Sequence, residues 1–248
     1  RVAPAIDPAP PGPFEDVEAI IQAAGRGERL GRGPKAFLAL GERTLLERAV
    51  SAMRAVARNV VVGVPPEDLE RARELCGPGV LVLAGGATRR DTLLRIVAAT
   101  RGPWLLLHDV VHPFATPALA RQVVETARVH GASIAAIRST SSVHHRPSGG
   151  GVARLAPGEV WLMRKPVAFR REGFVRGLDG PMESQEGVGG ILRRAGQELA
   201  VVPAEPWNLK ITTPEDWQLA EVIERGLASG DIGRGPSASR PSGDFVTD

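Results

Sequence analysis

The clearest signal for chemistry is the glycine-rich segment 20–35, IIQAAGRGERLGRGPK, which begins at the end of an apolar run. The residues small enough to let backbone N–H groups approach phosphate oxygens are Ala23, Ala24, Gly25 and Gly27. Arg29 and Lys35 can neutralise those oxygens. The segment is not a Walker A loop and lacks the G-x-G-x-x-G fingerprint. It predicts a polyphosphate cradle, and the alternative is a flexible glycine turn with solvated arginines.

Lysine is scarce, and its positions add to this signal. The only lysines among the 31 basic residues are Lys35, Lys165 and Lys210. A compact ammonium can reach one phosphate oxygen as a point charge, which a planar guanidinium does less well. Each lysine is therefore a candidate for a phosphate contact, against the alternative of chance survival in an arginine-biased composition.

A cluster of ionisable residues, His108-Asp109-Val110-Val111-His112, follows another apolar run at 104–107. Imidazole and carboxylate groups are good transition-metal ligands, so a protein metal site is one hypothesis. The alternative is that each histidine is packed or capped at the end of a strand.

Five segments, taken in order, resemble one enzyme family. They are 23–38, with AAG-x-G-x-RL followed by PKAFL; 85–92, GGATRRDT; 108–113, HDVVHP; Thr140; and 208–216, NLKITTPED. Between residues 17 and 225 the sequence is similar to the 2-C-methyl-D-erythritol 4-phosphate cytidylyltransferases of the non-mevalonate isoprenoid pathway. The combination is far more specific than any one segment.

The resemblance implies transfer of CMP from CTP to 2-C-methyl-D-erythritol 4-phosphate, giving 4-diphosphocytidyl-2-C-methyl-D-erythritol and pyrophosphate. It implies that the catalytic residues are Arg29, Lys35 and Lys210. The implied nucleotide-binding residues are Ala23, Ala24, Gly25, Arg26, Gly27, Gly85, Gly86, Arg89 and Thr92. The implied acceptor-binding residues are Asp109, His112, Thr140 and Lys165. Such a transfer asks the protein mainly for alignment and electrostatic stabilisation, which suits these residue types.

The resemblance also implies Mg²⁺ as the cofactor, with CTP and a small phosphorylated polyol as partners. Mg²⁺ usually keeps waters and substrate phosphates as ligands. We therefore expect the ion to be held mostly by CTP, with Asp109 as a tentative protein contact. For His108 we expect a structural or positioning role rather than ligation.

The departures from the family pattern lie mainly on the acceptor side. His112 stands where the family has arginine, and Lys165, in place of threonine, could restore the lost charge. Residues 184–186 read Ser-Gln-Glu where the family has Thr-Asp-Glu or Thr-Asp-Asp, and Ala87 replaces an acidic residue beside the nucleotide. No arginine stands at the arm position that binds the methylerythritol phosphate in the family, unless Arg154 takes that role from nearby. The pattern therefore specifies CTP more closely than the acceptor. A ribitol-5-phosphate or other polyol-phosphate cytidylyltransferase, or a catalytically silent nucleotide-binding protein, stays an alternative.

The elements that must position these residues alternate between strand and helix. The β-type runs are 17–22, 60–64, 80–83, 104–107 and 132–137, and the amphipathic stretches are 45–55, 66–75, 91–99 and 117–130. This βαβ series predicts a Rossmann-like α/β fold, with a mostly parallel sheet and helices on both faces. Ligands bind such sheets at the carboxyl ends of the strands, where the candidate residues fall.

The remaining sequence predicts one domain, residues 16–226, between flexible tails at 1–15 and 227–248. A β-arm projects at about 139–155, and the resemblance implies a homodimer formed through it. Strands are expected at 160–163 and 199–203, and helices near 170–176, 186–194 and 214–225. The last helix begins with Thr213 as its N-cap and Pro214 in its first turn.

Composition limits the other functions. No run approaches the ~20 apolar residues of a membrane span, and Cys76 is the single cysteine, so no internal disulfide forms. With no secretory signal pattern, we expect a soluble, cytoplasmic protein without a membrane partner. The 28 acidic residues are interspersed with the basic ones and aromatic residues make up 4%, which argues against nucleic-acid binding.

Overall fold

A seven-stranded sheet forms the centre of the protein. The computed structural model describes residues 12–146, 150, 153–155, 160–178 and 187–233. The large sheet is built from β1 (Phe14–Gln22), β4 (Ala57–Val64), β5 (Val80–Ala84), β6 (Trp104–Asp109), β7 (Ala132–Arg138), β10 (Trp161–Arg170) and β11 (Leu199–Pro203). Its strand order is β11-β7-β10-β6-β1-β4-β5.

Two short hairpins, seven α-helices and three short 3-10 helices (Glu28–Leu30, Lys35–Phe37 and Pro66–Asp68) complete the described elements. The hairpins pair β2 (Ala39–Leu40) with β3 (Arg43–Thr44), and β8 (His144–His145) with β9 (Ala153–Arg154). The helices are α1 (Leu45–Arg54), α2 (Leu69–Cys76), α3 (Arg89–Ala98), α4 (Pro117–His130), α5 (Arg171–Leu178), α6 (Val188–Arg194) and α7 (Pro214–Ser229).

Strand direction in the sheet confirms the predicted mostly parallel arrangement. All neighbouring strands run parallel except β10, which is antiparallel to both β6 and β7. The last four residues of β1 and all of β6 are buried because both faces of these central strands are covered.

Helices cover both faces of the sheet, as predicted. On one face α1, α2, α4 and α7 pack on alternate strand residues such as Ile21 and Leu106. On the other face α3, α5 and α6 pack on the intervening residues such as Ile20 and Leu107. This alternation follows from the two-residue period of a strand, and it fixes which side chains at the strand ends face which helix.

The helix starts near the candidate segments are set by local hydrogen bonds. Thr88 caps α3 and Thr213 caps α7, each in a capping box closed by an aspartate three residues later. Pro214 stands in the first turn of α7, which confirms the predicted start of that helix.

The predicted domain limits need correction at both ends. β1 begins at Phe14, inside the predicted tail, because the Phe14 ring lies under the guanidinium groups of Arg121 and Arg128. The last helix, α7, continues to Ser229, past the predicted helix end at 225 and the predicted domain limit at 226. The rest of the predicted tails, residues 1–11 and 234–248, lies outside the described residues.

The segment after β7 leaves the sheet. Its described part is the two-residue ladder of β8 and β9, which lies within the predicted arm at about 139–155. The backbone N–H of Leu155 donates to Val143 O at 2.9 Å and so extends this ladder. Among the helices of the described ranges, none has both the length and the apolar composition needed to cross a membrane.

Candidate active site

A cleft of about 790 Å³ opens at the carboxyl ends of the central strands. Its walls come from the loop after β1, the segment after β5, the end of β6 and residues 210–212 before α7. Twelve of the predicted site residues line it: Ala24, Gly25, Arg26, Gly27, Arg29, Lys35, Gly85, Gly86, Arg89, Thr92, Asp109 and Lys210. The fold thus brings together segments that are far apart in sequence.

The glycine-rich loop turns back on itself at Gly27. This residue has φ of +72°, a left-handed conformation that favours glycine. A Cβ atom here would lie 2.2 Å from the carbonyl oxygen of Gly33, so no side chain fits without moving the loop. Gly25, in contrast, is exposed and has open space around it, which leaves its backbone approachable from the cleft.

Lys35 joins the two walls of the cleft. Its ammonium group donates to the carbonyl oxygens of Ile211 at 2.9 Å and Thr212 at 3.2 Å. Burial lowers the pKa of Lys35, and the nearby charges of Arg29 and Lys210 lower it further. Three cations therefore lie close enough to repel one another, an arrangement that favours a polyanion between them.

The segment after β5 packs tightly on the first turn of α3. The Thr92 hydroxyl donates to Thr88 O and accepts from Gly86 N at 3.0 Å. A Cβ on Gly86 would lie 2.1 Å from the Asp91 side chain, and one on Gly85 would lie 2.8 Å from the Thr92 hydroxyl. These glycines are thus required by the fold, whether or not they also contact a ligand.

A hydrogen-bonded network that the sequence did not reveal lies on the floor of the cleft. Gln22, the last residue of β1, bonds to Arg89, whose guanidinium pairs with Asp109 at 2.7 Å. The one available signal was a polar residue that follows the apolar residues Ala19, Ile20 and Ile21 at the end of the strand.

A buried polar group lies behind Asp109. His108, His112 and Lys165 are each less than 9% exposed, and none of them lines the cleft. Burial lowers the pKa of His108 to about 4 and that of His112 well below its usual value, so both are neutral at pH 7. Burial alone would raise the pKa of Asp109, but Lys165 and Arg89 hold it below its usual range.

Four predicted site residues lie outside the lining of the cleft. Ala23 is 1% exposed because it ends the buried run of β1. His112 and Lys165 belong to the buried group just described, and Thr140 is exposed near the base of the arm. Residues 184–186, where the sequence departs from the family pattern, lie outside the described residues.

The two carboxylate oxygens of Asp109, the residue predicted to contact Mg²⁺, have different surroundings. Its Oδ2 pairs with Arg89, whereas Oδ1 is buried and has no hydrogen-bond partner. The described residues contain no group of three or more His, Cys, Asp or Glu side chains that could hold a metal ion. A single carboxylate oxygen fits an ion whose other ligands are waters and substrate phosphates, but not a closed protein cage.

The family comparison decides what kind of protein carries this cleft. Residues 17–225 match the family model described as 2-C-methyl-D-erythritol 4-phosphate cytidylyltransferase. The chain belongs to this family. The match includes every segment that lines the cleft.

Curated relatives of this cytidylyltransferase family agree over most of their length. The chain is 35% identical over 222 residues to the 2-C-methyl-D-erythritol 4-phosphate cytidylyltransferase of Thermus thermophilus, covering 85% of this chain and 98% of that protein. It is 32% identical over 210 residues to the enzyme of the same name from Deinococcus radiodurans, covering 83% and 88%.

Solved cytidylyltransferase structures share the fold. The crystal structure of the Thermus thermophilus enzyme aligns with a TM-score of 0.71 at 31% identity, covering 86% of this chain and 100% of that chain. The structure of 4-diphosphocytidyl-2C-methyl-D-erythritol synthase from Anaerococcus prevotii aligns with a TM-score of 0.76 at 21% identity, covering 85% and 96%, and supports the fold alone.

Proposed function

We propose that this cytidylyltransferase transfers CMP from CTP to 2-C-methyl-D-erythritol 4-phosphate and releases pyrophosphate. The observation that carries the proposal is the meeting of two glycine segments and three cations, Arg29, Lys35 and Lys210, in one cleft. The proposed reaction is the one for which the curated relatives are named, and the cleft contains the residue types that this reaction needs.

In this reaction an oxygen of the acceptor phosphate attacks the α-phosphorus of CTP. A new P–O bond forms there, the bond from the α-phosphorus to the bridging oxygen of the β-phosphate breaks, and pyrophosphate leaves with that oxygen. Arg29 and Lys35 stabilise the charge on the α-phosphate and on pyrophosphate, and Lys210 holds the acceptor phosphate in line. Positioned charge of this kind is the main contribution a protein makes to such a transfer.

Mg²⁺ is part of the same proposal. When bound, it would neutralise charge on the CTP phosphates, and Asp109, which lines the cleft and has an Oδ1 without a hydrogen-bond partner, is the residue that would contact it. Asp109 stays ionised for this role because Lys165 and Arg89 keep its pKa low. The cytoplasmic location expected from the sequence stays a prediction.

A panel of acceptors tests the proposed reaction. Pyrophosphate release would be measured with CTP and either 2-C-methyl-D-erythritol 4-phosphate or ribitol 5-phosphate, with ATP and UTP as controls for the nucleotide. We expect turnover with CTP and the methylerythritol phosphate. Faster turnover with ribitol 5-phosphate would favour a polyol-phosphate cytidylyltransferase. CTP binding without pyrophosphate release would favour a catalytically silent nucleotide-binding protein.

Lys165 is expected to support the acceptor side. Replacing it with threonine, the family's residue, removes the cation behind Asp109 and should raise the KM for the acceptor about tenfold, given the strength of hydrogen bonds to charged groups. The KM for CTP should stay nearly unchanged, because Arg89 still pairs with Asp109 on the side of the cleft. Steady-state kinetics with each substrate varied in turn measures both values.

Adding His112→Arg to Lys165→Thr is the matched rescue. The charge of Lys165 contributes to the lowered pKa of His112, so the two buried side chains lie close together behind Asp109, and an arginine at 112 can replace the cation lost there. The double variant should recover much of the lost acceptor affinity, and the two changes should be strongly non-additive. A neutral Lys165→Thr, or one that weakens CTP instead, would remove Lys165 from the acceptor side.

The arm is proposed to form a homodimer. Deleting residues 144–151 should halve the mass measured by light scattering while the far-ultraviolet circular dichroism of the sheet and helices is kept. The reason is that β8 and β9 pair with each other and not with a strand of the central sheet. A deletion variant that keeps the mass of the parent would show the arm to be a surface loop.

A further inference from the structure

Gln22 is a buried polar residue that the reaction as described does not use. It is 9% exposed and ends β1, a central strand of the sheet. In the parallel register it stands directly beside Asp109 on β6 and beside Gly63 on β4. Its backbone is therefore fixed by strands on both sides, which makes its side chain a rigid reference point at the floor of the cleft.

Both ends of the Gln22 amide bind the same residue. Arg89 Nε donates to Gln22 Oε1 at 3.2 Å, and Gln22 Nε2 donates to the Arg89 carbonyl oxygen at 3.3 Å. The far end of the Arg89 side chain then donates through Nη2 to Asp109 Oδ2 at 2.7 Å. The three residues form a chain from β1, through the start of α3, to the end of β6.

Arg89 needs such support because it is not held by burial. Its side chain is 64% exposed, whereas that of Asp109 is 8% exposed. An exposed ion pair alone is a weak restraint, since a long side chain gains rotamer freedom when it leaves its partner. The hydrogen bond from Arg89 Nε to Gln22 Oε1 fixes the guanidinium at the end nearer the backbone. Arg89 Nη2 therefore points at the Asp109 carboxylate.

We propose that Gln22 is a positioning residue for CTP binding, which holds Arg89 against Asp109 so that Arg89, together with the buried Lys165, offsets the charge of this carboxylate beside the triphosphate. The inference rests on the proposed use of CTP by this cleft. Asp109, Arg89 and Gln22 all line the cavity beside the glycine loop, so a polyphosphate in the loop lies close to all three. A carboxylate charge near the triphosphate repels it, so loss of the pairing with Arg89 should weaken CTP binding.

The test is Gln22→Met, which keeps the shape of the side chain and removes both hydrogen bonds. The dissociation constant of CTP would be measured by calorimetric titration without acceptor, and kcat and both KM values by pyrophosphate release. We expect CTP to bind about fivefold to tenfold more weakly, which corresponds to the loss of about one net hydrogen bond. The kcat and the KM for the acceptor should change less than about twofold.

A double-mutant cycle separates positioning from simple packing. Arg89→Met should weaken CTP at least as much as Gln22→Met, and adding Gln22→Met to Arg89→Met should cause no further loss, because Gln22 acts through Arg89. Thr100→Val is the matched control. Thr100 follows α3 at the opposite end of the helix from Arg89, and the change removes a buried hydroxyl that donates to Val97 O. It should leave CTP binding unchanged.

Several results would overturn the inference. They are unchanged CTP binding in Gln22→Met, additive losses in the double variant, or a fall in kcat without a change in CTP affinity. A lowered unfolding temperature with normal CTP affinity would show a purely structural role. If the wild-type protein binds CTP but releases no pyrophosphate, the proposed function is contradicted. The CTP titration of Gln22→Met then still decides this inference. Wild-type protein that does not bind CTP would overturn both.

Discussion

Lys35→Met should lower kcat about a hundred- to a thousandfold, which is the usual cost of removing one preorganised contact to transition-state charge. Its ammonium group is held by the carbonyl oxygens of Ile211 and Thr212 between the two walls of the cleft, so it is already in place when charge develops. Stability should fall by only about 1–2 kcal/mol, because two carbonyl groups lose a partner. Pyrophosphate release and chemical denaturation measure the two effects.

Arg29→Ala is expected to act in the same way, since Arg29 lines the cleft within the same loop. Arg32→Ala provides the matched control, because Arg32 is an exposed arginine of that loop that lies over the Trp217 ring and does not line the cleft. The control should keep near-normal turnover. Near-normal turnover in both Lys35→Met and Arg29→Ala would contradict the phosphate cradle.

Gly27→Ala should reduce kcat/KM for CTP on the order of a hundredfold, because a misplacement of about 1 Å in a positioning element can cost that much. The added Cβ would lie 2.2 Å from Gly33 O, so the loop must open or shift. The backbone N–H groups and Arg29 then leave their places. Kinetics with CTP varied at saturating acceptor measures the loss.

Gly31→Ala separates this steric effect from backbone strain. Gly31 has φ of +68°, close to the value at Gly27, yet a Cβ there would meet nothing within 4 Å. It carries the cost of a left-handed alanine, about 1 kcal/mol, without the clash. The control should therefore lose some stability and keep most of its activity. Equal losses of activity in the two variants would mean that strain, and not the closed shape of the loop, is what matters.

The architecture was predictable because its signals are local and repeated. Alternating apolar runs and amphipathic stretches predicted the parallel sheet with helices on both faces, and the structure confirms both. Thr213 and Pro214 marked the start of α7 for the same reason, since a cap is formed by residues adjacent in sequence. The limits of the domain were less predictable, because Phe14 is ordered by Arg121 and Arg128 of α4, which no local pattern announces.

Half of the residues that line the cleft were also predicted from the sequence, because the chemistry of a polyphosphate requires glycine, lysine and arginine in recognisable segments. The family match added which segments act together. Neither the residue types nor the family match could show that Lys165 and His112 lie behind Asp109 and not in the cleft, because burial depends on how β10 and the end of β6 pack.

The sequence by itself determined the fold class, the family and the residue types at the site, because these depend on periodicity and on short motifs. Only the tertiary structure decided which charges meet. Gln22, Arg89 and Asp109 are separated by 67 and 20 residues along the chain and are joined by strand register and the position of α3. Coulombic and hydrogen-bond energies depend on distances of a few ångströms, and those distances are set by packing across the whole sheet.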